Sequence, residues 1–228
     1  MHILITGASS GIGKALSILL SKDGHTLSLC GRSKQKLAST LTQLELPAAN
    51  HASFCISDFE AVNDFCVNSI EHSGAIDVLI NCAGLNSARG AGHELPINEL
   101  DWMMKINCYA PIQFMQSVLP DMIARQQGFV INVMSTTCLF SNPGIAGYSA
   151  SKAAFDSYTK IMRKELRENN IKVSSIYPDG VDTDFRETSR PQYLSPYDVA
   201  VAIKHVIDMP ENVQPHELVI RPQCEENF

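Results

Sequence analysis

The chain has 228 residues, of which 45% are hydrophobic and 18% charged, enough apolar material for a substantial core and too little charge density for disorder. A formal net charge of -6 argues against nucleic acid as a partner, and no apolar run is long enough to span a bilayer. Seven cysteines without a C-x-x-C pair and seven scattered histidines point to reduced thiols and no metal site, so a cytoplasmic protein is expected.

Apolar runs at 2–6, 26–30, 51–55, 77–81, 129–134, 171–177 and 217–221 read as strands. Helix-length patterns near 12–23, 33–44, 59–72, 98–125, 148–169 and 196–208 lie between most of them. This alternation, with nearly continuous apolar strands, predicts an α/β fold with a parallel sheet covered on both faces. No linker or composition break divides the chain, so a single domain over 1–228 is expected. A strand pattern begins at His2, so no signal peptide is expected.

The first strand runs into Thr6-Gly7-Ala8-Ser9-Ser10-Gly11-Ile12-Gly13 and then a helix. Glycines at 7, 11 and 13 allow a tight turn and close approach to a pyrophosphate, which the N–H groups of the helix start would bind. The second strand ends in Gly31-Arg32-Ser33, with no carboxylate where an NAD site usually holds the ribose 2′-hydroxyl. Arg32 and Ser33 suit a 2′-phosphate, which predicts NADP in preference to NAD; the alternative is a surface arginine with Ser33 as a helix cap. Asp58, before Phe59, either caps the next helix or contacts an adenine amino group.

The fourth strand ends in Asn81-Cys82-Ala83-Gly84, small residues at a strand carboxyl end, where ligands bind in open parallel sheets. Asn107, inside an apolar helical run, is either a structural bridge or part of a polar network. Ser135 follows the fifth strand. Tyr148 and Lys152, four residues apart on one helix face, form a pair in which an ammonium can depress a phenol's pKa. Alone the pair is common, and its plain alternative is a half-buried tyrosine beside a solvated lysine.

These motifs, in this order, resemble the short-chain dehydrogenase/reductase family, over residues 2 to about 221. The resemblance implies a doubly wound Rossmann sheet in strand order 3-2-1-4-5-6-7 and reversible hydride transfer between a nicotinamide cofactor and a small-molecule carbonyl or alcohol. It implies that Tyr148 is the acid/base, that Lys152 lowers its pKa and holds the nicotinamide ribose, and that Ser135 bonds the substrate oxygen. Asn107 would keep a water that links Lys152 to solvent. Gly7, Ser9, Ser10, Gly11, Ile12 and Gly13 would hold the phosphates, and Arg32 with Ser33 the 2′-phosphate. Asp58 and Phe59 would lie near the adenine, and Asn81, Ala83 and Gly84 along its ribose. Pro178, Val181 and Thr183 would flank the nicotinamide, the last two at its carboxamide.

The chain departs from the family pattern at Cys82, usually asparagine, and at Asp179, usually glycine beside the nicotinamide pocket. The segment 184–194, a lid over the substrate in this family, is short. Small or apolar candidates at Ala110, Ala150, Ala154 and Phe155 are expected on outward helix faces, for a homodimer or homotetramer. A non-catalytic dinucleotide-binding regulatory module and a reductase of carrier-bound acyl groups are the alternative functions.

Overall fold

The central strand, His2–Thr6, is buried along its whole length, which its composition demands: a parallel strand covered on both faces has no polar side to show. A computed structural model describes residues 1–185 and 190–225. The strands are β1 (His2–Thr6), β2 (Thr26–Gly31), β3 (Asn50–Ser53), β4 (Val78–Asn81), β5 (Gly128–Val133), β6 (Ile171–Pro178) and β7 (Glu217–Ile220). All pair in parallel in the order β3-β2-β1-β4-β5-β6-β7, the doubly wound topology expected. The edge strands β3 and β7 alternate in exposure, whereas β4 is buried throughout.

The helices are α1 (Gly11–Leu20), α2 (Lys34–Leu41), α3 (Phe59–Ser73), α4 (Ile97–Met104), α5 (Ala110–Arg125), α6 (Ala146–Glu165) and α7 (Pro196–Ile207). On one face, Ile3 and Ile5 pack with Leu16, Val199 and Ile203 beneath α1 and α7. On the other, Leu4 and Leu79 meet Phe65, Phe114 and Phe155 beneath α3, α5 and α6. Adjacent residues of β1 thus serve opposite cores, as strand geometry requires. Among the described residues no helix is long and apolar enough to cross a membrane.

The helix expected over 98–125 is two helices joined by a π-helical segment, Lys105–Tyr109. Pro111 has no N–H to give the carbonyl of Asn107, its α-helical acceptor four residues back. The N–H of Ala110 accordingly bonds the carbonyl of Lys105, five residues back. This extra residue changes the phase of the helix. Ala110, expected to face outward, is therefore buried in the core. Phe155 is also buried rather than outward, because it lies on the sheet-facing side with Ser151 and Lys152, four and three residues before it. Ala150 is exposed and Ala154 half-buried.

Buried polar groups fix α6 over the sheet. Asn81 Nδ2 donates to Asn132 Oδ1 (2.9 Å), and Asn132 Nδ2 donates to Thr159 on α6 (3.0 Å). Tyr177 Oη donates to Asp156 Oδ1 at 2.6 Å, and Lys160 bonds the other carboxylate oxygen at 2.7 Å. These bonds connect β4, β5, β6 and α6 through groups too costly to leave unpaired, so the helix has one favoured position on the sheet.

Candidate active site

The cleft is built at the carboxyl ends of β1, β4 and β5, on either side of the point where the strand order reverses. Gly7 and Gly11 have φ of +73° and +54°, a region that favours glycine. A Cβ on Gly13 would lie 2.5 Å from the carbonyl oxygen of Gly7, so only glycine lets α1 begin this close to the loop. Thr6 Oγ1 accepts from the N–H groups of Cys82 and Ala83, both at 3.0 Å, and so locks the end of β4 to the end of β1. Ser10 occupies the N-cap of α1 without a side-chain cap bond, leaving the first-turn N–H groups for another acceptor. This cradle fits the pyrophosphate of a dinucleotide, with Ser9, Ser10, Gly11 and Ile12 at its edge.

At the end of β2, Arg32 is exposed and Ser33 caps α2, its Oγ accepting from Lys36 N at 3.3 Å. That bond uses a hydroxyl lone pair and leaves the proton available to an anion. Asp58 is exposed and caps α3 through Ala61 N (3.1 Å), while Phe59 packs against the core. Asn81 turns its side chain to Asn132, and its Oδ1 is a buried acceptor without a hydrogen-bond partner. A ribose contact from this position would therefore come from its backbone.

Asn107, Gly84 and Lys152 meet at one point: a Cβ on Gly84 would lie 3.3 Å from Asn107 Oδ1 and 3.5 Å from Lys152 Nζ. Asn107 proves to be a structural bridge within a network. Its Oδ1 accepts from Leu85 N (2.8 Å), and its Nδ2 donates to Leu85 O (2.8 Å) and Ser151 Oγ (2.9 Å). Ser151 in turn donates to the carbonyl of Tyr148 at 2.8 Å. Neither Leu85 nor Ser151 stood out in the sequence, because backbone acceptors and a helix serine carry no motif.

Lys152 is buried rather than solvated, and its ammonium donates to the carbonyl of Val133 at 2.8 Å, two residues before Ser135. Burial pulls its pKa below the ordinary lysine value. The nearby thiols are pushed up by burial, Cys82 to about 12 and Cys138 to about 11, so they stay protonated. Tyr148 is half-buried one turn before Lys152, and its ring meets that of Phe185 edge-on, centroids 5.6 Å apart. Ser135 is partly exposed at the end of β5, its Oγ accepting from Thr137 N at 3.3 Å.

The loop after β6 closes the other side. Pro178 ends β6, Val181 bridges Leu194, and the methyl of Thr183 lies 3.4 Å from where a Gly11 Cβ would be, bringing this loop against the glycine turn. Asp179 has no positive φ, so the position needs no glycine. Its Oδ1 accepts from Gly180 N (2.9 Å), and its Oδ2 lies 3.4 Å from Arg221, whose guanidinium stacks 4.6 Å from the Phe140 ring centroid. Burial raises the Asp179 pKa above the usual carboxylate value, and the charge of Glu225 adds to the effect. Of the expected lid, 186–189 lie outside the described residues.

The profile of the family described as short chain dehydrogenase matches residues 1–194. An uncharacterized oxidoreductase of Staphylococcus aureus (strain MW2) is 31% identical over 223 residues, 96% of each chain. An alcohol dehydrogenase from the archaeon Thermococcus sibiricus, complexed with 5-hydroxy-NADP, superposes with a TM-score of 0.92 at 24% identity, over 100% of this chain and 98% of the other. A metagenomic short-chain oxidoreductase in complex with NADP gives 0.85 at 26% identity, over 99% and 98%. Strand order, the glycine cradle and these likenesses agree: the chain belongs to the short-chain dehydrogenase/reductase family of oxidoreductases.

Proposed function

We propose that this protein is an NADP(H)-linked reductase or dehydrogenase of a small-molecule carbonyl/alcohol pair, with Tyr148 as its acid/base. The observation that carries the reading is Lys152: a buried ammonium held on the Val133 carbonyl, one helical turn from a tyrosine at the cleft. A buried cation favours the phenolate over the phenol, bringing the Tyr148 proton within reach of neutral pH. Tyr148 protonates the carbonyl oxygen during reduction, and Ser135 donates a hydrogen bond to that oxygen as its charge develops. Lys152 also orients the nicotinamide ribose. The Asn107 segment of the π helix stands beside Lys152 and would seat the water that returns protons from solvent. When bound, the nicotinamide supplies or accepts the hydride.

Preference for the phosphorylated cofactor rests on the exposed Arg32 and on the absence of a carboxylate at the end of β2, and is supported by NADP in the related metagenomic enzyme. Gly7, Gly11 and Gly13 hold the pyrophosphate, Ala83 and Gly84 border the adenosine ribose, and Val181 and Thr183 meet the carboxamide. The test is cofactor consumption against a panel of ketones and aldehydes. NADPH is expected to exceed NADH in kcat/KM by at least about tenfold, the worth of one charge-assisted phosphate contact. A preference for NADH would overturn the Arg32 argument. Tight NADPH binding with no turnover on any carbonyl would make the protein a regulatory module.

The reading includes a homodimer or homotetramer. Tyr109 (49% exposed) ends the π segment between α4 and α5, and Ile161 (52%) lies on α6, both large exposed side chains along the two helical stretches where the family commonly pairs. Light scattering at micromolar concentration should give a multiple of the 25.0 kDa chain mass, and a monomer would refute the assignment.

A further inference from the structure

Two adjacent residues of the loop after β6 contact two separate elements, α2 and α6. Asp184 Oδ2 lies 2.6 Å from Lys36 Nζ on α2, a pair separated by 148 positions in the sequence. Phe185 lies edge-on against the Tyr148 ring at 60°. Thr183 Oγ1 accepts from Phe185 N at 3.3 Å, folding 183–185 into one compact turn. Neighbouring Cα atoms are about 3.8 Å apart, so Asp184 cannot move far without taking Phe185 with it.

Lys36 stands one helical turn after Arg32 and Ser33, the residues assigned to the 2′-phosphate. Lys36 holds the Asp184 carboxyl below the usual carboxylate range, and Lys14, in the first turn of α1, adds to the effect. A groove of about 620 Å³ runs here between α1, α2 and the start of α7; Ser10, Gly11, Lys14, Lys36 and Asp184 line its end at the glycine turn, and Ile18, Leu19 and Tyr197 its far side, with Arg32, Ser33 and Tyr148 outside it. The carboxylate is thus an anion seated in a basic corner next to the phosphate cradle.

We propose that Lys36 is a further ligand of the cofactor's 2′-phosphate, that Asp184 is an internal stand-in for that phosphate, and that exchanging one anion for the other lifts Phe185 from Tyr148. The inference rests on the NADP(H) reading. Lys36 and Asp184 are 54% and 74% exposed, so their attraction is screened and weak. A phosphate carrying close to two charges competes well for the same ammonium. The phosphate thereby does more than add affinity: it uncovers the tyrosine on α6. A ligand without it leaves the Lys36–Asp184 pair in place and Phe185 on Tyr148. By linkage, whatever favours the uncovered tyrosine also favours the phosphate.

Adenosine 2′,5′-bisphosphate tests this without turnover, because it carries the 2′-phosphate and lacks the nicotinamide; adenosine 5′-monophosphate is the control. In Phe185→Trp, the bisphosphate should change the emission of the introduced indole and the monophosphate should not. By calorimetry, Lys36→Met should weaken the bisphosphate about tenfold and leave the monophosphate unchanged. Asp184→Asn should tighten the bisphosphate about threefold, a modest gain in keeping with a screened pair. The double variant should stay close to Lys36→Met alone, because Asp184 competes chiefly through Lys36, with Lys14 the smaller contributor. A Lys36→Met protein that keeps full preference for the bisphosphate, or an indole that responds equally to both nucleotides, overturns the inference and leaves the NADP(H) reading standing. A wild-type protein that binds the two nucleotides equally overturns both.

Discussion

Replacing Tyr148 by phenylalanine should lower kcat for carbonyl reduction by about 10³-fold while leaving NADPH affinity almost unchanged, as measured by steady-state turnover and fluorescence titration. The substitution removes a single oxygen and keeps the ring that meets Phe185, so the cleft retains its shape. Ser135 cannot take over the proton transfer: an aliphatic hydroxyl is far less acidic than a phenol, and its oxygen already accepts from Thr137 N. The loss should appear in kcat rather than in KM, because the proton moves only as the carbonyl bond is reduced. A variant within tenfold of the wild-type kcat would remove Tyr148 from the mechanism.

Lys152→Met should separate activity from stability. Activity should fall by about 10²-fold or more, since on the proposed mechanism the phenol would lose the cation that acidifies it and the ribose a ligand. The cofactor-free protein should nevertheless melt a few degrees higher at pH 7, because an apolar chain of similar length replaces a desolvated ammonium. Burial lowers the folded-state pKa of Lys152, so between that value and the ordinary lysine value the unfolded chain holds the extra proton. Wild-type stability therefore rises with pH through that window, and the destabilisation is fully present below it. The melting advantage of Lys152→Met should narrow as pH approaches 10. A constant difference across pH would mean that the ammonium is not desolvated. Such a trade of stability for function is what the role proposed for a buried cation would entail.

The strands were legible to within a few residues, because the central strands, covered on both faces, need short apolar runs and the edge strands alternate. The long helical pattern was read as unbroken, although Asn107 and Pro111 stand four apart and together forbid an α-helical bond. A proline alone does not mark such a break, since Pro120 lies inside α5 with the same missing bond. The outward placement of Ala110 failed for the same reason, since the π segment shifts the helix phase. At the site, Tyr148, Lys152, Ser135 and the glycine loop were all visible as motifs. That Lys152 would be buried on the Val133 carbonyl was not, because an accepting carbonyl looks the same in every sequence.

The sequence by itself determined the layered α/β architecture, the strand-end position of each motif and the chemical types assembled there. Those follow from short-range rules: hydrophobic period, glycine conformations and the four-residue spacing of a helix face. Only the tertiary structure decided which polar groups meet. Asn107 with Leu85 and Ser151, Asp179 with Arg221, and Lys36 with Asp184 are pairings made by how helices and loops pack on the sheet. A charge or an amide can serve any partner within reach, and reach is set by packing, over separations for which a linear chain carries no local signature.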